Sequence, residues 1–213
     1  GHIADALIVV ADGDEGLSLF LVDPATQGIE TERTVMVDAH NAARLTLKDV
    51  VVDADAQIGE AGHAHAALDK ALSLGRGCAA ASLNGAGDQA FAITTDYLKT
   101  RQQFGKLIGE FQALQHRAAH LYTELELAKA ATLGALQAVD AAKETAGVSV
   151  SVAKAKAGRV AELAVQEGVQ MHGGVGMTDE FDIGLFMKRV RVLNETLGDA
   201  NYHTEQLARA RGY

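Results

Sequence analysis

The sequence has little cysteine, proline or tryptophan: one, one and none among 213 residues. A single thiol, Cys78, excludes an intrachain disulfide and is typical of a reducing compartment. Because Cys78 lies among small apolar residues, we expect it to be a buried spacer and not a nucleophile. Proline breaks helices by removing a backbone donor, so its near absence favours long uninterrupted helices.

Positive charge is also scarce, since the formal net charge is −9. Nucleic-acid binding needs clustered lysine and arginine, and this balance argues against it. A phosphorylated small ligand remains compatible, because a few cations and helix N-termini can hold one. No apolar stretch reaches membrane-spanning length, no secretion signal is recognisable, and no metal-ligand spacing occurs. We therefore expect a soluble cytoplasmic protein.

The first part of the chain predicts antiparallel β structure. Apolar or alternating stretches predict strands at residues 6–11, 17–22, 35–37, 43–47 and 50–52, with a turn at residues 12–16. Residues 1–5 resemble a turn entering a strand, so we expect the first strands of this β domain to lie outside the sequence. Residues 1–60 are therefore predicted to be part of a β domain.

Residues 61–213 follow a helical period. We expect helices at residues 63–101, 111–139 and 150–171, a shorter one from an N-cap at Thr178 to residue 197, and a last one at residues 200–211. Long helices joined by short turns predict an up-down bundle of four or five members. The predicted fold class is α+β, a partial antiparallel β domain followed by an α-helical bundle.

The first unusual segment covers residues 100–112 (TRQQFGKLIGEFQ), between two predicted helices. Arg101 can pair with a pyrophosphate through two parallel hydrogen bonds, and Phe104 offers a flat apolar face. Gln112 supplies both a donor and an acceptor. The plain alternative is a helix corner in which Arg101 caps the last carbonyls and Phe104 fills the core.

The second unusual segment covers residues 170–178 (QMHGGVGMT), where one helix ends shortly before another begins. Glycines there allow backbone N–H groups to approach a phosphate, and a helix N-terminus favours negative charge. A helix C-cap needs one glycine, whereas this segment has three in four positions. We expect His172 to be a hydrogen-bonded corner residue.

These segments resemble the R-x-x-F-G…F-Q and Q-x-x-G-G-x-G motifs of the acyl-CoA dehydrogenase family. The resemblance covers the whole chain and extends to Arg76, Tyr97 and the Lys188-Arg189 pair. It implies that residues 1–60 are the second half of the family's middle β domain and residues 61–213 its C-terminal four-helix-bundle domain. The chain would then be part of a longer protein that forms a homo- or hetero-oligomer through the bundle.

The resemblance also implies FAD as cofactor, an acyl-CoA as substrate and an electron-transfer flavoprotein as acceptor. It assigns cofactor contacts to two sets of residues, one set from each of two neighbouring subunits. The sets are Arg101, Phe104 and Gln112 of one subunit, and Gln170, Gly173 and Gly174 of its neighbour.

The residue that should remove the substrate's α-proton is missing. The family places a glutamate at one of two positions, which here are Gly75, before Arg76, and Gly198. Asp199 is the nearest substitute, with a shorter reach and an offset of one residue, and Arg76 would have a supporting role. The family threonine that touches the flavin is Ala200 here.

A glycine at both positions resembles one subunit of heteromeric acyl-CoA dehydrogenases, most nearly the small subunit of pimeloyl-CoA dehydrogenase-like pairs. The leading hypothesis is a subunit of an FAD-dependent acyl-CoA dehydrogenase that works with a partner carrying the base, and we expect residues 1–213 alone to be inactive. Two alternatives remain open. One is a catalytically silent homologue that acts as an assembly or binding module, and the other is a self-sufficient dehydrogenase that uses Asp199.

Overall fold

Strands occupy the first part of the chain and helices the rest, in a computed structural model that describes all 213 residues. The chain divides into two units, Gly1–Ala71 and Leu72–Tyr213. The strands are Leu7–Gly13 (β1), Gly16–Val22 (β2), Ile29–Val35 (β3), Asn41–Leu47 (β4), Gln57–Ile58 (β5), Gln102–Gln103 (β6) and Lys106–Leu107 (β7). The helices are His65–Thr100 (α1), Gln112–Asp140 (α2), Ala146–His172 (α3), Ile183–Glu195 (α4) and Ala200–Ala210 (α5). The α+β prediction is confirmed.

The first unit contains a three-stranded antiparallel sheet in the order β1-β2-β5 and a separate hairpin of β3 and β4. The β1–β2 turn needs glycine at Gly16, where φ is +104° and a Cβ would approach the Gly62 carbonyl oxygen to 3.3 Å. Gly62 is equally constrained, since its φ is +74° and a Cβ would overlap the Glu15 carbonyl oxygen.

Two predicted strands in this unit were wrong. Residues 35–37 contribute only the last residue of β3, and residues 50–52 form no strand. The strand β3 was missed because nearly all of its residues are exposed, so it lacks the apolar alternation that marks a half-buried strand.

In the second unit α3 is the central helix and packs against α2, α4 and α5. The main core joins small residues of α1 and α3 to larger residues of α4, among them Ala90, Ala157 and Ile183. Gly168 on α3 permits this approach, because a Cβ there would lie 2.6 Å from Cδ1 of Ile183. The bundle prediction is therefore confirmed.

Cys78 departs from the prediction of a buried spacer, because its side chain is exposed. Its neighbours on α1, Gly77 and Ala79, are both buried, whereas the thiol lies outside the core. No helix combines the length and the apolar character that a membrane crossing requires.

Candidate functional site

The first segment forms a tight hairpin directly after α1, in which β6 pairs with β7. The loop residues Phe104 and Gly105 have φ values of 56° and 78°. Two positive φ values define the primed hairpin turn, which asparagine and glycine favour. Phe104 is a bulky residue in this conformation, at a cost of about 1–3 kcal/mol. Because its side chain is 92% exposed, the hairpin presents an aromatic face to solvent.

The backbone of Arg101 is hydrogen-bonded on both sides, whereas its side chain has no partner within the chain. Its N–H donates to the Tyr97 carbonyl at 2.9 Å, and its carbonyl accepts the Ile108 N–H at 2.9 Å. The exposed guanidinium makes no hydrogen bond or ion pair within the chain. The plain helix-corner alternative is therefore wrong, because Arg101 caps no carbonyl and Phe104 does not fill the core.

Gln112 is the first residue of α2 and is exposed, without a side-chain hydrogen bond. It follows Phe111, whose ring contacts that of Phe104 edge to face with centroids 6.2 Å apart. The start of α2 and the hairpin are therefore in direct contact, and the free amide of Gln112 lies next to that contact in the chain.

The second segment forms the end of α3 and a 3₁₀ turn, Gly173–Met177. Gly173 has φ +67°, and a Cβ on Gly173 or Gly174 would meet no atom within 4 Å. Gly176 is packed instead, because a Cβ there would lie 2.9 Å from the Val169 carbonyl oxygen. Gln170, on the last turn of α3, is exposed. Two of the three glycines therefore leave their backbone open to a ligand, and the third allows the turn to fold back.

Thr178 is not the N-cap of the next helix. Its hydroxyl donates to the Val175 carbonyl at 2.8 Å, and α4 begins only at Ile183, after Asp182. The intervening residues turn Phe181 onto the bundle, where its ring lies 5.4 Å from that of Tyr97.

Both segments lie at the same end of the helical unit. The rings of Tyr97, near the end of α1, and His172, at the end of α3, stack with centroids 4.4 Å apart. Beneath them Met171 packs with Leu98 and Ile108 in a buried cluster. Nδ1 of His172 lies 2.7 Å from the Gly168 carbonyl oxygen, as expected of a hydrogen-bonded corner residue. A single chain thus brings both segments together.

The two glycines at the expected base positions also lie close together. Gly75 is on α1, and a Cβ there would lie 2.8 Å from Cδ1 of Leu197. Gly198 follows Leu197 in the loop after α4, with φ +105°. A Cβ on Gly198 would lie 2.4 Å from Cδ1 of Tyr202. Leu197 and Tyr202 therefore occupy the space next to both positions.

Arg76 connects this loop to α1. Its Nε donates to the Leu197 carbonyl at 3.3 Å, and its Nη2 donates to the Tyr202 hydroxyl at 3.2 Å. Asp199 is the N-cap of α5, with Oδ1 accepting the Tyr202 N–H at 2.7 Å. The carboxylate of Asp199 is therefore engaged in capping the helix.

Two residues of this region were not anticipated, Lys154 on α3 and His203 on α5. Both are almost fully buried. Nζ of Lys154 donates to the carbonyls of Leu193, Asn194 and Gly198 at 3.0–3.1 Å. Burial lowers the pKa of Lys154 to about 8 and that of His203 to about 4. The helical spacing could have indicated that Lys154 is buried, since it falls on the same face of α3 as Val150 and Ala157.

Nε2 of His203 lies 3.2 Å from the Leu197 carbonyl oxygen, and Nδ1 lies 3.4 Å from Oγ of Ser151. A carbonyl only accepts, so the neutral imidazole is assigned its proton on Nε2. With that proton it donates to the loop, and Nδ1 is left to accept from the serine hydroxyl.

A family model described as "Acyl-CoA dehydrogenase, C-terminal domain" matches residues 62–211, which include the whole helical bundle. The chain belongs to the acyl-CoA dehydrogenase family. The recognition made from residues 100–112 and 170–178 is thereby confirmed. Members of this family are oxidoreductases and flavoproteins.

Acyl-CoA dehydrogenases of known sequence and structure align with nearly all of the chain. The rat mitochondrial short/branched chain specific acyl-CoA dehydrogenase is 32% identical over 200 residues, which are 92% of this chain and 46% of that protein. A variant of the Tcur3481-Tcur3483 steroid ACAD superposes with a TM-score of 0.87 at 33% identity, covering 98% of this chain and 56% of that one. The ChsE4-ChsE5 complex from Mycobacterium tuberculosis superposes with a TM-score of 0.89 at 26% identity, covering 99% of this chain and 56% of that one.

The chain spans about half the length of the curated acyl-CoA dehydrogenases it matches, 46% and 50% for the rat and bovine proteins. The solved chains are covered to a similar degree. In the rat and bovine proteins, about half of the residues therefore lie outside the part that aligns with this chain.

Proposed function

We propose that this chain is the C-terminal half of a subunit of an FAD-dependent acyl-CoA dehydrogenase, and that a homologous partner supplies the catalytic base. The observation that carries the proposal is the pair Gly75 and Gly198. They meet at Leu197, where the family would place a carboxylate, and neither has a side chain. The strands of residues 1–60 would be the second half of the middle β domain.

The cofactor role rests on free groups at one end of the bundle. The guanidinium of Arg101 would pair with the pyrophosphate, and the exposed ring of Phe104 would cover a planar part of the cofactor. Polar contacts would come from the remaining candidates, Gln112, Gln170, Gly173 and Gly174. When bound, FAD supplies the hydride acceptor of the reaction. As the family resemblance implies, we propose that Arg101, Phe104 and Gln112 of one subunit and the second set of a neighbouring subunit contact the same cofactor.

A partner is needed because the α-proton of a thioester is weakly acidic. Its removal requires a carboxylate held at contact distance. Asp199 would have to leave the Tyr202 N–H to serve as that carboxylate, which would expose the start of α5. Arg76 is proposed to support the site by holding the loop of residues 196–198 through the Leu197 carbonyl.

The assembly proposal is supported by the names of similar proteins. The Tcur3481-Tcur3483 steroid ACAD and the ChsE4-ChsE5 complex are each described by two components. By analogy we propose a hetero-oligomer acting on a fatty, dicarboxylic, aromatic or steroid acyl-CoA, as in pimeloyl-CoA dehydrogenase-like pairs. An electron-transfer flavoprotein is the proposed acceptor.

The test is to purify the full-length protein alone and together with a homologue that carries glutamate at one of the two base positions. We expect flavin absorbance in the complex and turnover only in the complex. Turnover by the protein alone would favour a self-sufficient enzyme that uses Asp199. Absence of flavin both alone and with the partner would favour the silent assembly module.

A further inference from the structure

Three basic side chains from three helices meet on the backbone of the loop after α4. Arg76 of α1 and His203 of α5 both contact the Leu197 carbonyl, at 3.3 and 3.2 Å. Lys154 of α3 contacts the next carbonyl, that of Gly198, at 3.0 Å. A short exposed loop does not need three buried or half-buried donors for its own solvation, because water satisfies exposed carbonyls.

The loop has a conformation that requires restraint. Leu197 and Gly198 are both in the left-handed region, with φ values of 59° and 105°. For Leu197 this conformation is costly, because its Cβ approaches the neighbouring carbonyl oxygen. Such a conformation persists only when surrounding contacts over-determine it.

The number of N–H donors on Lys154 equals the number of carbonyl oxygens that its ammonium group contacts. A protonated lysine has three N–H donors, and Nζ has three carbonyl acceptors, those of Leu193, Asn194 and Gly198. The first two are among the last four carbonyls of α4, which have no partner inside the helix. One ammonium therefore joins the end of α4 to the loop.

We infer that Lys154 is a positioning residue which, with Arg76 and His203, fixes residues 196–198 so that Leu197 covers Gly75 and Tyr202 lies beside Gly198. The inference rests on the proposed function only in identifying this loop as one of the two base positions. The loop is thus held in place, and the space next to the two positions without a carboxylate is filled by this chain's own side chains, Leu197 and Tyr202.

The charge of Lys154 makes the arrangement sensitive to pH. Burial lowers the pKa of Lys154 to about 8, although the negative charges of Asp199 and Glu195 partly oppose this shift. His203 is neutral in this range, and Arg76 is the other basic side chain on the loop. Above pH 8 the neutral amine has two donors for three carbonyls, so one contact must be lost.

The test is amide hydrogen exchange on the full-length protein, compared between Lys154→Met and the matched control Lys156→Met. Lys156 is on the same helix and pairs with Glu124 of α2, away from the loop. We expect Lys154→Met to speed exchange in residues 195–203 by about tenfold or more, with residues 112–140 unchanged. Lys156→Met should leave the loop at wild-type rates.

The wild-type protein gives a second readout that needs no variant. After correction for intrinsic exchange, protection of residues 195–203 should fall between pH 7 and pH 9.5, and in Lys154→Met it should be independent of pH. A constant wild-type protection across this range would overturn the inference, as would unchanged loop exchange in folded Lys154→Met. If that variant does not fold, the expected fall in wild-type protection of residues 195–203 between pH 7 and pH 9.5 decides the inference by itself.

Neither readout requires flavin, partner or turnover. A failure of this inference is therefore distinguishable from a failure of the proposed function.

Discussion

Burial of His203 predicts a specific loss of stability in acid. The pKa of this imidazole is about 4 in the folded protein, against an ordinary value of 6.5. Burial is the main cause, and the positive charges of Lys154 and Arg76 add to it. Because the folded pKa is depressed, the unfolded chain binds more protons between pH 6.5 and pH 4. The free energy of unfolding must therefore fall as the pH is lowered through that window.

The size of the effect follows from the two pKa values. A difference of this size corresponds to about 3 kcal/mol lost between pH 7 and pH 4. Carboxylates also titrate in this range, so the quantity of interest is the difference between variants. His203→Gln keeps an amide donor for the Leu197 carbonyl and does not titrate. His116→Gln, an exposed histidine on α2, is the matched control.

The assay is urea unfolding of the three proteins at pH 7 and pH 4. Wild type and His116→Gln should each lose about 3 kcal/mol more than His203→Gln between the two pH values. The same loss in all three proteins would contradict this prediction, because it would mean that His203 is protonated in the folded state without penalty. Lys154 does not confuse the comparison, since its pKa of about 8 lies above both pH values.

Three further substitutions test the aromatic cofactor contact, the loop conformation and the identity of the base. Phe104→Asn should lower flavin retention by about tenfold or more while leaving the melting temperature equal or higher, because asparagine suits the left-handed turn. Gly198→Ala should cost about 2 kcal/mol or more in unfolding experiments, whereas the control Gly85→Ala, whose Cβ would meet nothing within 4 Å, should stabilise α1 by about 0.5–1 kcal/mol. Asp199→Asn preserves the α5 cap, so turnover of the complex should be unchanged; a hundredfold loss without a change in melting temperature would identify Asp199 as the base.

The sequence predicted those parts of the fold that follow from periodicity. The bundle was recognisable because its helices are long and bury a regular apolar stripe, and the strands β1 and β2 because their ends are marked by glycine and aspartate. The strand β3 was not recognisable, since it is exposed on both faces. The start of α4 was misplaced because Thr178 has the residue type of an N-cap, although its hydroxyl bonds backward to Val175.

Some residues of the candidate site could likewise be predicted from the sequence, and others could not. Residues proposed to contact the cofactor, such as Arg101 and Gly174, stood out because they are unusual in a helix corner. Lys154 and His203 did not, since each is one polar residue on a helix face and its role depends on carbonyls that are distant in sequence. The contact between Leu197 and Gly75 likewise depends on tertiary packing across more than one hundred residues.

Whether a partner supplies the base is measured by turnover of the reconstituted complex after the partner's base-position glutamate is replaced by glutamine, with this chain left intact. A positioned general base contributes about 10²–10⁴-fold. We expect a loss of this size with flavin content and assembly unchanged, because Gly75 and Gly198 offer no substitute carboxylate. Turnover at the level of the unaltered complex would contradict it, since the proton would then be removed by a group of this chain.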